Sequence, residues 1–400
     1  MPYQAGPLYL NVLDFGARGN GITDDTPAFQ AAIDRAYSID TPSGGTQNTV
    51  IIEVPPATYL IEKTLSFVAS PSAWNTAVVL AGASRGPYPS GSGNGHNIPV
   101  LLWGSPHRPC IQVGSTDVVQ QTQCVSIEDI HIHDPLNTNA NLPPILKSSL
   151  SGEYVPAICI VNATDCRIRR CSTDNSTKFI VAGYDTQRRL HGVTGRILIE
   201  DIAMTTFIAG ITIEYAMDKC WLNRIDTWPY GDSNGAQPPS TWDIFSFNNN
   251  VGIDVGRCDG LFVSNTYLAN CLVGIQGRKS TFADLKPKNS FAMMSNIGVE
   301  FSQYGIWAKS TQSKGWVVNG FDCTAGVIGN KNSHWAAFAG DPADGTNGKL
   351  VIMGGALQDA FAQSATLHPY SAFSANPYAG PFGLHGGSFM NACFVLGYSV

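Results

Sequence analysis

Asn11-Val12-Leu13-Asp14-Phe15-Gly16-Ala17-Arg18-Gly19-Asn20-Gly21-Ile22-Thr23-Asp24-Asp25-Thr26-Pro27-Ala28-Phe29-Gln30-Ala31-Ala32-Ile33-Asp34-Arg35-Ala36 reads as a short strand, a glycine-rich turn and an amphipathic helix. Val12, Leu13 and Phe15 supply the apolar strand residues. Gly16, Gly19 and Gly21 open backbone angles closed to side-chain-bearing residues. Thr26 is the expected N-cap, with Pro27 at the first helical position, where a missing N–H costs nothing. Phe29, Ala32, Ile33 and Ala36 then recur at helical spacing and predict one buried face.

The next stretch, Val50-Ile51-Ile52-Glu53-Val54-Pro55-Pro56-Ala57-Thr58-Tyr59-Leu60-Ile61, predicts strand, proline turn, strand. Together the two segments resemble the N-terminal cap of the pectate-lyase-like superfamily, which includes polygalacturonase relatives, alginate epimerase modules and phage tailspike depolymerases. Ala57 stands where that family commonly has glycine, and Asn20 where it commonly has aspartate. The resemblance implies an all-β chain, a single-stranded right-handed parallel β-helix with an N-terminal capping α-helix. It implies no particular activity, because such folds serve lyases, hydrolases, epimerases and plain binding proteins alike.

Four hundred residues exceed an ordinary single core, but a solenoid lengthens coil by coil, each packing only on its neighbours. One β-helix domain over 1–400 is therefore expected, with residues 1–40 as cap, 41–360 as coils with loop insertions, and 361–400 as a C-terminal cap or interface segment. Charged residues make up only 14%, so Ser, Thr, Asn, Gln and Gly must cover the surface, as in many extracellular or virion β proteins. The net charge of −6 without a Lys/Arg cluster argues against nucleic-acid binding. Met1-Pro2-Tyr3-Gln4-Ala5-Gly6 carries neither a charged nor an apolar leader region, so no signal peptide is expected. No apolar run reaches the ~18 residues of a membrane span, so membrane insertion is not expected either. The ten cysteines form no CxxC pair and have no histidines at zinc spacing. They read as reduced interior fillers; a Cys166–Cys171 disulfide is the alternative.

A weak internal repeat supports the coils. Segments starting at Ala157, Gly210, Gly252 and Gly305 alternate aliphatic and polar residues, and a shorter copy starts at Gly274. The Gly252–Gly274 step is 22 residues, about one coil; the other steps of 53, 42 and 31 imply insertions or an intervening coil. Second strands end in polar corners at Asn223-Arg224, Ser264-Asn265 and Asn319-Gly320, where Asn tolerates left-handed angles and can ladder. Ile127-Glu128-Asp129-Ile130 and Ile199-Glu200-Asp201-Ile202 are identical and predict equivalent strands of different coils. Insertions are expected at 84–97, 134–152, 229–241, 278–289 and 340–348, and the uncharged 364–384 tail is expected to be buried.

Stacking the repeats puts Thr212, Asp254, Gln276 and Trp307 in one outward column and Glu214, Gly256, Arg278 and Lys309 in the next. Coils ~4.8 Å apart would bring Glu214 and Asp254 to one groove. Two carboxylates ~5–10 Å apart are what glycoside hydrolysis requires. Arg278, Lys309 and Trp307 would hold a sugar. The same column suits β-elimination, with a base and an enolate-stabilising cation, and equally suits ordinary solvated residues. A second candidate set, Asp226, Trp228, Tyr230, Asp232, Trp242 and Asp243, lies in a Pro/Gly-rich insertion; aromatic faces beside carboxylates suit sugar clefts. Those aromatics serve equally well to anchor the loop.

His131 and His133 alternate onto one face with Asp129, a metal-like spacing without further ligands nearby, so neither metal nor cofactor is expected. His191 beside Arg188 and Arg189 is a lesser acid/base candidate.

The family's enzymatic signatures are missing. The polygalacturonase Asn-Thr-Asp, Asp-Asp, Gly-His-Gly and Arg-Ile-Lys elements have no counterpart beyond Leu190-His191-Gly192, Leu384-His385-Gly386 and the Asp24-Asp25 pair of the cap, and the epimerase Tyr-Gly-x-Asp-Pro-His-Glu element is absent. The expected function is binding and depolymerisation of a surface polysaccharide in the manner of a tailspike, by hydrolysis before β-elimination. The expected setting is a homotrimer attached to other virion proteins, on a virion or outside the cell. The alternative is a non-catalytic trimeric spacer or glycan-binding component.

Overall fold

A computed structural model describes residues 6–39, 49–69, 76–83, 98–137, 144–227, 241–282, 289–325, 334–338, 350–359, 374–375, 382–385 and 388–390. The chain divides into two compact units, Met1–Ala203 and Met204–Val400. In both, the strands named below pair in parallel with strands of neighbouring coils, the winding of a right-handed parallel β-helix.

In the first unit three stacks form the coil walls. The first comprises Leu8–Asn11, Thr49–Val54, Ala77–Gly82, Val125–Glu128, Arg167–Arg169 and the start of Ile197–Thr227. Its register sets Ile52, Leu80, Ile127, Ile168 and Ile199 beside one another as a buried aliphatic ladder. Asn20–Asp24, Thr58–Ile61, Val100–Trp103, His131–His133 and the first part of Ser172–Ala182 make the second. The third holds Leu65–Phe67, Ile111–Val113, Pro156–Ile160 and the second part of Ser172–Ala182. Ala157 lies opposite Phe179, so a coil intervenes in the 53-residue repeat step.

The two identical Ile-Glu-Asp-Ile segments occupy equivalent positions two coils apart, with Arg167-Ile168-Arg169 between them. Arg169 bonds to Glu200 and lies 3.9 Å from Glu128. Asp129, Arg170 and Asp201 form the corner that follows, all with left-handed backbone angles. Arg170 grips both Asp129 oxygens at 2.7 Å and Glu128 at 2.8 Å. Asp129 is thus a corner ion-pair residue.

The N-terminal helix α1 spans Thr26–Tyr37 and buries Ala28, Phe29, Ala32, Ile33 and Ala36, as the spacing predicts. Phe29 meets Tyr59 edge-on, with centroids 5.1 Å apart. Its start differs from the sequence expectation. Asp25 is the N-cap position and Thr26 the first helical residue, because Asp24 Oδ1 accepts from both the Thr26 amide and hydroxyl. The Asp25 carboxylate instead accepts from the Arg18 and Gly19 amides and folds the glycine turn back onto the helix. Gly19, at φ +59°, has no room for a side chain: a β-carbon would sit 2.7 Å from that of Ala57. Val12, Leu13 and Phe15 also depart from expectation. They form a single 3-10 turn, Val12–Phe15, because Asn11 Oδ1 accepts from Leu13 N and Gly16 closes the turn in the left-handed region. The strand precedes it, at Leu8–Asn11.

In the second unit, one stack joins residues 209–216, 251–258, Val273–Gly277, Tyr304–Ala308 and His334–Phe338. The other runs through 219–227, 260–269, Ser290–Ser302, Thr311–Ala325 and Leu350–Asp359. Its strands bend at a column of left-handed residues: Arg224, Asn265, Asn296, Gly320 and Gly354. Asn223, Asn265 and Asn296 ladder there, with amide contacts of 3.0 and 3.1 Å. Leu222, Val263, Met294, Val318 and Ile352 are stacked in the core beneath. A second helix, α2 (Thr241–Asn249), follows the 229–241 insertion and was not anticipated. It packs through Phe245 against Phe207 and buries Phe247.

The nine described cysteines are thiols, all buried except Cys124; Cys166 and Cys171 are not joined. Burial pushes the thiols of Cys110, Cys166, Cys171 and Cys271 up to about 12. Most of the 364–384 tail lies outside the described residues. No helix among the described residues is long and apolar enough to cross a membrane.

Candidate functional site

The register places Thr212, Asp254, Gln276 and Trp307 side by side on successive coils. Glu214 and Asp254 are brought together, but by Arg278 rather than by an open groove. Arg278 Nε lies 2.9 and 3.1 Å from the two Asp254 oxygens, and Nη2 lies 2.7 Å from Asp254 and 2.5 Å from Glu214. Gln276 adds a 2.9 Å bond to Asp254. The other Glu214 oxygen accepts from the Ser280 hydroxyl and from the amide and hydroxyl of Thr281. Glu214 is 1% exposed. It leans across Gly256, where a β-carbon would sit 3.1 Å from its carboxyl carbon, to reach a cation two coils on. Burial works against the Arg278 charge, but Asp254 and Glu214 more than offset it and raise its pKa. This dry carboxylate thus already accepts from four protein donors, three on one oxygen and Arg278 on the other.

Trp307 stacks on Tyr304 with centroids 4.2 Å apart, and Lys309 Nζ lies 4.0 Å from the Trp307 ring centre. Burial pulls the Lys309 ammonium below the usual lysine range; Asp254 opposes that and Arg278 adds to it. These residues close the edge of the Arg278 cluster.

A different group of acids sits beyond the left-handed corner of the other stack. Asp226 pairs in register with Tyr267, Tyr267 with Gly298, and Gly298 with Asp322, while Glu300 lies two residues past Gly298. The Tyr267 ring crosses Gly298, where a β-carbon would be 3.0 Å from it, and its hydroxyl bonds to Glu300. Burial raises the Tyr267 pKa first; the Glu300 bond and the charges of Glu300, Asp226 and Asp322 raise it further. Asp322 is exposed, and Asp226, Tyr267 and Glu300 are half-buried. Glu300 and Asp322 are diagonal neighbours, one coil and two residues apart, which puts their α-carbons ~8 Å from each other. Sequence reading found only Asp226 of this set. The signal was present: two residues past the polar corners, Asp226, Tyr267 and Asp322 align.

Trp228, Tyr230 and Asp232 lie outside the described residues, and the side chains of Trp242 and Asp243, at the start of α2, do as well. In the first unit, His131 and His133 face not Asp129 but Asp174, on the next coil.

A family model described as rhamnogalacturonase A/epimerase, pectate lyase-like, matches residues 9–97. Glucan 1,3-beta-glucosidase of Cochliobolus carbonum is 37% identical over 71 residues, covering 16% of this chain and only 9% of that protein. The tailspike protein of E. coli bacteriophage HK620, solved in complex with a pentasaccharide, is 11% identical with a TM-score of 0.61, over 97% of this chain and 63% of that one. The Streptococcus pneumoniae surface protein and adhesin PfbA is 13% identical with a TM-score of 0.55, over 97% and 98%. At these identities the structural likenesses concern the fold.

Proposed function

We propose that this chain, a pectate-lyase-like parallel β-helix, binds a surface polysaccharide and hydrolyses its glycosidic bonds on the Tyr267 face. The observation that carries the reading is the gathering of Asp226, Glu300 and Asp322 around one aromatic ring on an accessible sheet face. A pyranose stacks its apolar face on such a ring while its hydroxyls find carboxylate acceptors. Hydrolysis needs one carboxyl to protonate the leaving oxygen and a second to attack or to activate water. Glu300, oriented by the Tyr267 hydroxyl, and Asp322, open to solvent, fill these two roles. Asp226, on the other side of the ring, orients the neighbouring sugar. Glu214, Asp254 and Arg278 act as a staple between coils. A tailspike-like setting, as a homotrimer on a virion or outside the cell, fits the polysaccharide partner and the low surface charge.

The test is a panel of bacterial polysaccharides assayed for reducing ends and for the ultraviolet absorbance of an unsaturated uronate. Reducing ends without absorbance are expected, lost by about 10²–10⁴-fold in Glu300→Gln and Asp322→Asn at unchanged melting temperature. Absorbance rising with reducing ends would replace hydrolysis by β-elimination. A glycan that binds and is never cut would leave the chain a binding protein.

A further inference from the structure

We propose that His131, His133 and Asp174 form a binding site for one divalent transition-metal ion of the zinc class, with a coordination position left open. The two histidines alternate along His131–His133, so both imidazoles leave the same side of the strand while Ile132 enters the core. Parallel register with the next coil sets Ser172 beside His131 and Asp174 beside His133. Three ligand atoms from two coils therefore converge, all within 4.8 Å of one another. Asp174 Oδ1 is 3.0 Å from His131 Nε2 and 2.7 Å from His133 Nδ1. Donors around a tetrahedral ion with ~2.0–2.1 Å bonds are ~3.3 Å apart, so Asp174 must draw back from the two imidazoles by about 0.3 and 0.6 Å for an ion to sit between them.

The surroundings are those of a ligand set. His131 Nδ1 is 2.9 Å from Ser172 Oγ, which fixes the ring and turns Nε2 toward Asp174. Metal-bound histidines are held in this way by an outer hydrogen bond at the second nitrogen. The imidazole is neutral when it binds metal and has a single N–H; given to Ser172, it leaves the Nε2 lone pair for an ion. His131 is nearly buried, whereas the side chains of His133 and Asp174 are 31% and 29% exposed, so an ion can enter from solvent. Two imidazoles and one carboxylate suit zinc, cobalt, nickel or copper; calcium and magnesium prefer all-oxygen sets. Three protein ligands leave a position for water or another oxygen. The ion would also cross-link adjacent coils, so its binding appears as stability.

The full chain, stripped with a chelator, is titrated with Zn²⁺ against a chromophoric chelator and separately with Co²⁺. We expect one equivalent bound, with intensified visible Co²⁺ bands from a four- or five-coordinate nitrogen–oxygen site, and a zinc-dependent rise in melting temperature. His133→Ala and Asp174→Asn should weaken that equivalent at least about tenfold, and Ser172→Ala about tenfold through the outer bond. His107→Ala, at an exposed histidine, should change nothing. Wild type and Asp174→Asn binding zinc equally, or Co²⁺ keeping its octahedral aqua spectrum with wild type, would make the cluster an ion pair only. The Co²⁺ result on wild type decides the matter even if a variant fails to fold.

Discussion

Replacing Arg278 with methionine separates the two readings of the Glu214–Asp254 pair. The substitution keeps the aliphatic stem and removes one cation that serves two carboxylates on two coils. Asp254 would keep Gln276 and the more distant Lys309 charge, and Glu214 would keep Ser280 and Thr281, but each would lose its ionic partner. Breaking a buried ion pair by removing one member costs about 3–5 kcal/mol, because the remaining charge has no water to return to. At about 2–4 °C per kcal/mol for a unit of this size, the melting temperature should fall by ~6–20 °C. Glu214→Gln leaves Arg278 on Asp254 but points an amide NH2, which cannot accept, at a donor and so loses a charged hydrogen bond, about 1.5–3 kcal/mol. Thermal unfolding followed by circular dichroism gives both values, and reducing-end release on a cleaved glycan gives activity. A stapling role requires a stability loss in both variants while Glu214→Gln retains its rate. The reasoning fails if Arg278→Met melts within a degree or two of wild type. It fails equally if Glu214→Gln melts normally and loses about 10²-fold or more in rate, as a catalytic carboxylate would.

Other outcomes follow from single sites. Burial raises the Asp134 carboxyl to about 6 in spite of Lys147, 3.5 Å away. The folded protein therefore holds a proton on Asp134 that the unfolded chain releases near pH 4. Its contribution is full below pH 4 and is lost as pH rises through 6, up to about 3 kcal/mol; over that window the melting temperature of wild type should fall relative to that of Asp134→Asn, which cannot ionise there. Asn265→Ala should cost about 1–2 kcal/mol in chemical unfolding, because it removes both ladder bonds at a φ of +50°, while Asn265→Gly should cost less. Gly298→Val should displace the Tyr267 ring from Glu300 and lower the phenol pKa in ultraviolet titration, with glycan binding weakened.

The fold was legible because its cues are local or periodic. The turn-and-helix segment carries its own caps, and the Gly-Ile repeats lie in the register their alignment implies. The misreadings near the N-terminus were contests between neighbours: the Asn11 side chain turned Val12–Phe15 out of a strand, and Asp24 drew Thr26 into the helix. The site was less legible because its partners are set by coil length. His133 meets Asp174 across 41 residues, and Arg278 reaches Glu214 across 64. Insertions of unequal length hide those separations. Sequence sets Asp254 and Glu214 in adjacent columns with Arg278 nearby, but does not show that Arg278 bonds to both acids at once. The Tyr267 set was missed because the alignment stopped at the corner instead of crossing it.

The alternation of Glu128, Arg169 and Glu200 along the first stack has a consequence for how this wall can grow. Removing the Arg169 coil would set Glu128 beside Glu200, and like charges directly opposite each other on paired strands repel. Inserting a pair of coils that repeats Arg169 and Glu200 keeps every acid of this run beside a base. The twin Ile-Glu-Asp-Ile peptides behave like teeth of equal pitch on a ratchet: a slip of one step meets resistance, a slip of two does not. Insertions within this three-coil run should therefore be tolerated in pairs of coils.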